Sequence, residues 1–220
     1  MEHIKAFRKV AEFSKAINQG TPFPKDYIQQ GDVEFLIGQV VSEAIELADS
    51  KSIQLLPNEG VLYAFDLLKH IDAGIDMMYY IADTAARNGL GLEGYELRPG
   101  IRNFHPECSP TINCLGRPDM KHISKRVVSE IVACIGKDAD MQEHHLYTAF
   151  TFIYEQFALK TGINLLDFFD VVHAANMRKV VDGVCVLRGD GKIMKPEGWV
   201  GPDEDMKKLL DGTLRQKRTV

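Results

Sequence analysis

Four carboxylates are spaced so that two helices would bring them together. Glu43 and Glu46 stand three residues apart, Asp72 and Asp76 four apart, so each pair shares a helix face. Both pairs lie in apolar frames. Phe35, Leu36, Val40, Val41, Ile45 and Leu47 surround the glutamates; Ile71, Ile75, Met77, Met78 and Ile81 surround the aspartates, with Asp83 two turns beyond Asp76. Acids on facing helices repel one another, and burying one without a partner costs several kcal/mol. A divalent cation removes that repulsion. Oxygen-only donors, with no histidine among them, select a hard ion, Mg²⁺ or Mn²⁺, over zinc or copper. Magnesium held by a few carboxylates keeps positions for water and phosphate oxygens, which is the inventory for attack of water on a phosphoanhydride. The competing reading is a solvated helix face, the common fate of Glu-x-x-Glu and Asp-x-x-x-Asp spacings. The apolar frames count against it.

The elements that must position these acids are helices. The hydrophobic period predicts them near 2–19, 31–50, 60–88, 120–137, 140–161 and 164–179, with almost no alternation of the strand kind. Gly20-Thr21-Pro22, Pro57-Asn58-Glu59-Gly60 and Gly162 separate them, and Asn164 is suited to cap the last helix, with Asp167 in its first turn. Residues 90–119 carry Pro99, Pro106, Pro110 and Pro118 and read as a linker.

What flanks the linker repeats. Val40-Val41-Ser42-Glu43 has a counterpart in Val127-Val128-Ser129-Glu130, and thirteen residues separate both Asp76 from Gly89 and Ala149 from Gly162. The expected fold is therefore all-α: a single domain of two tandem helix pairs in a four-helix bundle, repeat one at about 31–90, a degenerate repeat two at about 120–180, and a tail at 181–220 with a short hairpin. In the second half Glu130 remains, but Ala133 stands in the place of Glu46 and Ala149 in that of Asp76. One half is equipped and the other emptied.

The bulk numbers are those of an ordinary soluble chain: 220 residues, 45% hydrophobic, 26% charged, net charge −5. That balance gives no pull toward nucleic acid or anionic membrane. The basic stretch from Lys207 to Arg218 reads as a solvated end. Ile4, Phe7, Val10, Phe13 and Ile17 form an amphipathic helix interrupted by charge, unlike a signal peptide, and no window approaches a membrane span; a cytoplasmic protein is expected. Cys108, Cys114, Cys134 and Cys185 form no CxxC pair and read as thiols, and the His105, Cys108, Cys114, His122 group is too widely spaced for an ordinary zinc site.

Glu43-x-x-Glu46, followed by an acidic helix carrying Asp76-Met-Met-Tyr-Tyr, resembles the all-alpha nucleotide pyrophosphohydrolases, a group that includes MazG-type enzymes, phosphoribosyl-ATP pyrophosphohydrolases and dimeric dUTPases. The tail is more specific: Val172-His173-Ala174-Ala175-Asn176-Met177-Arg178-Lys179, then Asp182-Gly183, then Asp190-Gly191-Lys192-Ile193-Met194-Lys195-Pro196-Glu197-Gly198-Trp199, is similar to the tail of the MazG-like group. The resemblance covers roughly residues 31–90 and 140–203. It implies a helical bundle whose carboxylates bind Mg²⁺ and which cleaves a nucleoside triphosphate to the monophosphate and pyrophosphate. By position, Glu43, Glu46 and Asp76 match the metal-binding residues, with Glu43 and Glu46 also assigned to catalysis. The family's fourth carboxylate is a Glu three residues before the Asp, where this chain has Ala73; Asp72 stands one residue earlier. Asn176 and Lys179 match the Asn-Met-x-Lys motif and would donate to phosphate oxygens, with Lys195 reaching the same group. Lys192 reads as part of a solvated hairpin, Trp199 as an anchor for the tail and His173 as a structural histidine. A homodimer is expected.

Two other functions are compatible with the residues. A nucleotide-binding or scaffold homologue without turnover is the reading that Ala73 favours. A carboxylate-bridged di-iron bundle needs Glu-x-x-His on two helices, and Asp170-x-x-His173 occurs once.

Overall fold

A computed structural model describes residues 2–18, 28–49, 52–56, 60–64, 66–91, 118–187 and 193–218 of the chain. The side chains of residues 2–4, 46, 48, 49, 52–56, 60–64 and 214–218 also lie outside what is described. Among the described residues there are seven helices: α1 Glu2–Ile17, α2 Gln30–Asp49, α3 Leu67–Arg87, α4 Met120–Ala133, α5 Ala139–Thr161, α6 Leu165–Met177 and α7 Asp203–Arg218. The class is all-α. An antiparallel hairpin of β1 Ser52–Leu56 and β2 Gly60–Ala64 joins α2 to α3, with Leu56 opposite Gly60 and Ser52 opposite Ala64.

Four helices close a ring. α2 packs on α3 and on α4, α5 packs on α3 and on α4, and the interior is apolar. α4 with its capping residue and α2 bury the same pattern: Met120, Ile123, Val127 and the cap Cys134 in one, Val33, Leu36, Val40 and Leu47 in the other. α1 lies across α3 and α6 through Phe7, Val10, Phe13 and Ile17, and Phe7 meets Phe150 of α5 at 4.5 Å between ring centres. α3 is the central helix, touching α1, α2, α5, α6 and α7. Its approach to α5 depends on Gly74, where an added Cβ would lie 2.9 Å from the Phe157 ring. Gly89 and Gly162 close the two longest helices with φ of 67° and 66°, a conformation that favours glycine.

Two expectations are corrected. Residues 60–64 were expected to begin the helix 60–88, but they form β2, and α3 starts only after Asp66, whose carboxylate caps the helix by accepting from the Lys69 N–H. The apolar period runs on unbroken through Val61, Ala64, Leu68, Ile71 and Ile75, so periodicity alone does not mark the boundary. The stretch expected to be a solvated end, Lys207 to Arg218, belongs to α7: Lys207, Lys208 and Asp211 are exposed as expected, but Leu210 and the preceding Met206 are buried and the helix packs on α6. Asn164 caps α6 as expected, accepting from the Leu166 N–H. Among the described residues no helix is long and apolar enough to cross a membrane.

Candidate functional site

One edge of α3 is polar. Asp72, Asp76, Tyr79 and Asp83 recur with the helical period, while Ile71, Ile75, Met78 and Ile81 fill the core. The C-terminal end of this edge is tied down: Asp83 pairs with Arg87 at 2.8 Å and accepts a hydrogen bond from Ser14 of α1. One turn back, Tyr79 is buried, its ring stacked on Phe169 at 5.5 Å and its hydroxyl 3.1 Å from His173 Nδ1. Burial, followed by the charge of Asp83, raises its phenol far above the ordinary value.

The C-terminal end of α6 and the tail face that edge. Lys179 donates to Asn176 Oδ1 at 2.6 Å. Burial holds the Lys179 ammonium below the usual lysine range; Asp76 and Asp72 act against this, while Lys195 adds to it. Lys179 is therefore within electrostatic reach of both aspartates of the first half. Trp199 organises the group. Its indole N–H donates to the Ala175 carbonyl at 2.9 Å, and the Lys195 and Lys179 ammonium groups lie 4.4 and 5.2 Å from its ring centre. Arg178 fixes the next turn by donating to the Val200 carbonyl at 3.1 Å. Asn176, Lys179 and Lys195 thus come together, with Asp72 and Asp76 in their field.

The glutamates belong to α2. Glu43 is half-buried on the stripe that carries Val33, Leu36, Val40 and Leu47; Glu46 falls within α2, but its side chain lies outside the described residues. Among the described residues, no three His, Cys, Asp or Glu side chains are grouped so as to hold a metal ion. The second half nevertheless shows how the corresponding positions meet. Glu130, in the place of Glu43, is buried and divides its oxygens between Arg126 at 2.6 Å and His145 Nδ1 at 2.8 Å. His145 stands four residues before Ala149 as Asp72 stands four before Asp76, and Arg126 corresponds to Gln39. At the corresponding positions of the first half the sequence has Gln39, Glu43 and Asp72, oxygen donors of the kind a hard divalent cation takes. Ala73 is buried in the core, as is its counterpart Leu146, so position 73 does not belong to the polar edge and Asp72 does.

Asp170 and His173, the one di-iron-like pair, have other partners: Asp170 is ion-paired with Lys9 of α1, and His173 bonds Tyr79. Cys134 is buried, and burial followed by Glu130 pushes its thiol up to about 12; burial also raises that of Cys185. Of the group considered for zinc, His105, Cys108 and Cys114 lie outside the described residues, as does Lys192, and His122 packs edge-on against Phe152 at 5.7 Å. Sequence reasoning passed over Tyr79 and the Glu130–His145 pair. The signals were present: a tyrosine one turn after Asp76 on the same edge, and a histidine where the repeat calls for an acid. No family model, curated protein or solved structure matches the chain.

Proposed function

We propose that this chain is a Mg²⁺-dependent nucleotide pyrophosphohydrolase, which hydrolyses a nucleoside triphosphate to the monophosphate and pyrophosphate. The observation that carries the reading is the placement of Lys179, just beyond α6 and bonded to Asn176, in the field of Asp76 and Asp72 on α3. A triphosphate needs cations on one side of its phosphates and phosphate-binding donors on another, and this juxtaposition supplies both kinds of group at one edge. Glu43, Glu46, Asp72 and Asp76 would hold the cation, with Mn²⁺ a substitute. When bound, it supplies charge neutralisation and activation of water. Lys179 and the Asn176 amide donate to phosphate oxygens, and Lys195 on the Trp199 ring extends the donors outward. A carboxylate among Glu43, Glu46 and Asp76 accepts the proton of the attacking water. The working form in this reading is a cytoplasmic homodimer.

The test is incubation with Mg²⁺ and a panel of nucleoside triphosphates, with pyrophosphate and orthophosphate assayed separately. Pyrophosphate release without orthophosphate, abolished by chelation and by Asp76→Asn, is the expected result. Nucleotide binding with no pyrophosphate from any member of the panel would overturn the reading in favour of a binding homologue.

A further inference from the structure

The last turn of α6 and the tail are joined by a reciprocal pair of bonds. α6 ends at Met177, and the carbonyls of a helix's last turn need donors from outside it. The Trp199 indole N–H supplies one to Ala175 at 2.9 Å. In the other direction Arg178, the capping residue of α6, donates from Nε and Nη2 to the Val200 carbonyl at 3.3 and 3.1 Å. The turn that carries Trp199 is closed on itself: its backbone N–H donates to the Pro196 carbonyl at 3.0 Å, and Gly198 has a φ of 74°. At Gly201 the chain runs along the outer edge of the indole, where a Cβ would lie 3.4 Å from the ring. One residue before Lys195, the Met194 N–H donates to the Val186 carbonyl at 2.8 Å, which ties the segment carrying Lys195 to the chain leaving α6.

This frame gathers two like charges on one ring. The Lys195 ammonium lies 4.4 Å and that of Lys179 5.2 Å from the centre of Trp199. An aromatic face attracts a cation, but two ammonium groups on a single ring repel each other. Anchoring the tail does not require that arrangement, since the indole N–H, Arg178 and the closed turn already do it. A polyanion shared by both ammonium groups turns the repulsion into binding, and a phosphate chain carries the necessary charge without any base. The indole itself is committed: its N–H is engaged by Ala175, its outer edge by Gly201 and its face by the chain's own ammonium groups.

We infer that Trp199 is a positioning residue for polyphosphate: its ring holds the Lys179 and Lys195 ammonium groups together for the phosphate chain and takes no part in reading the base. This rests on the pyrophosphohydrolase reading for its purpose, but the anion site can be tested without nucleotide.

The experiment uses the full chain, with Trp199→Phe, Trp199→Leu and Lys195→Met beside it and inorganic tripolyphosphate as the probe. NMR of ¹³C-labelled lysine reads the platform directly. The ring current of Trp199 is expected to displace the Cε protons of Lys179 and Lys195, and Trp199→Leu to return them to ordinary positions. By calorimetry, Trp199→Leu weakens tripolyphosphate binding roughly tenfold, and Trp199→Phe, which keeps an aromatic face but no N–H, by less. Lys195→Met gives a similar loss with the bonds of the tail left in place, which separates loss of the ammonium pair from undocking of the tail. With nucleotides, Trp199→Leu raises KM by the same factor for purine and pyrimidine triphosphates, with kcat little changed. Undisplaced lysine signals in the wild type would overturn the proposal. So would tripolyphosphate binding that is absent from the wild type or unchanged in Trp199→Leu and Lys195→Met, or a KM effect confined to one base. Tripolyphosphate binding as expected, with no turnover of any nucleotide, would overturn the enzyme reading and leave the platform intact.

Discussion

Removing His145 tests the idea that the second half has replaced a cation by its own side chains. Glu130 has only 11% of its side chain exposed, and its two oxygens are separately bonded, one to Arg126 and one to His145. His145→Ala leaves Oε2 without that donor while the charge stays. A hydrogen bond to a charged group is worth about 1.5–3 kcal/mol. Full uncovering of a buried ion costs about 3–5 kcal/mol, but Arg126 remains, half-exposed, so the lower range applies. For a chain of this size that is a fall in Tm of about 3–12 °C. Urea denaturation and calorimetry of His145→Ala, Glu130→Gln and the double variant give the coupling. Because Glu130→Gln removes the charge, the double variant is expected to be more stable than the sum of the singles implies, by about 1–2 kcal/mol. A loss below about 0.5 kcal/mol for His145→Ala, the range of an ordinary surface change, would refute the reasoning.

Three further outcomes follow from the same structure. Gly74→Ala gains about 1 kcal/mol of helix propensity but overpacks the α3–α5 contact at a cost of about 1–3 kcal/mol, so the net change by denaturation is a loss, which Phe157→Leu in the same chain reduces. Chelated protein is expected to gain stability on addition of Mg²⁺, about 2.7 kcal/mol at a hundredfold excess over Kd, and Glu43→Gln or Asp76→Asn to remove the gain; an unchanged Tm across a magnesium titration counts against the metal reading. The folded value of His173 lies below its ordinary 6.5, so the unfolded chain binds the proton more readily. The His173 contribution is therefore whole above about pH 6.5 and is lost as the pH falls toward the folded value, and His173→Asn should flatten the decline of the urea midpoint between roughly pH 7 and 5.

The bundle was legible because the helical period is strong in α1, α3 and α4, because α2, α5 and α6 are long runs rich in apolar residues, and because Gly89, Gly162 and Asn164 have the chemistry of helix ends. The β-hairpin was not, because Val61 and Ala64 continue the period of α3, and only Asp66 marks the true start. α7 was hidden by its charge: Met206 and Leu210 are a small apolar share of a helix crowded with both acids and bases, and whether they are buried depends on the surface of α6. Asp72, Asp76, Asn176 and Lys179 were legible as residues, and their meeting was not, since the register between α3 and the end of α6 is set by the packing of Phe169 and Tyr79. The structure also changes the weight of Ala73. In sequence it is a missing ligand, whereas in the fold position 73 is a core position, and the edge that faces the tail runs through Asp72.

Along that edge the polar residues change in kind. Asp83 is tied by direct bonds to Arg87 and Ser14, and Tyr79 by its hydrogen bond to His173 and its stacking on Phe169, so the C-terminal half of the edge is held in place. Toward the N-terminal end, Asp76 and Asp72 face Lys179 through the field between them, and Lys179 is itself anchored to Asn176 and the Trp199 ring. Charge held by a rigid surround in a poorly solvated place responds strongly to a ligand and costs little to reorganise. In the second half, Glu130, Arg126 and His145 already complete one another, while Asn176 and Lys179 at the end of that half lie in the field of the acids of the first. If the proposed reaction is correct, such a division places a self-satisfied ionic group in α4 and α5 for stability, while the acids of α2 and α3 keep the unfavourable charge arrangement that a cation would relieve.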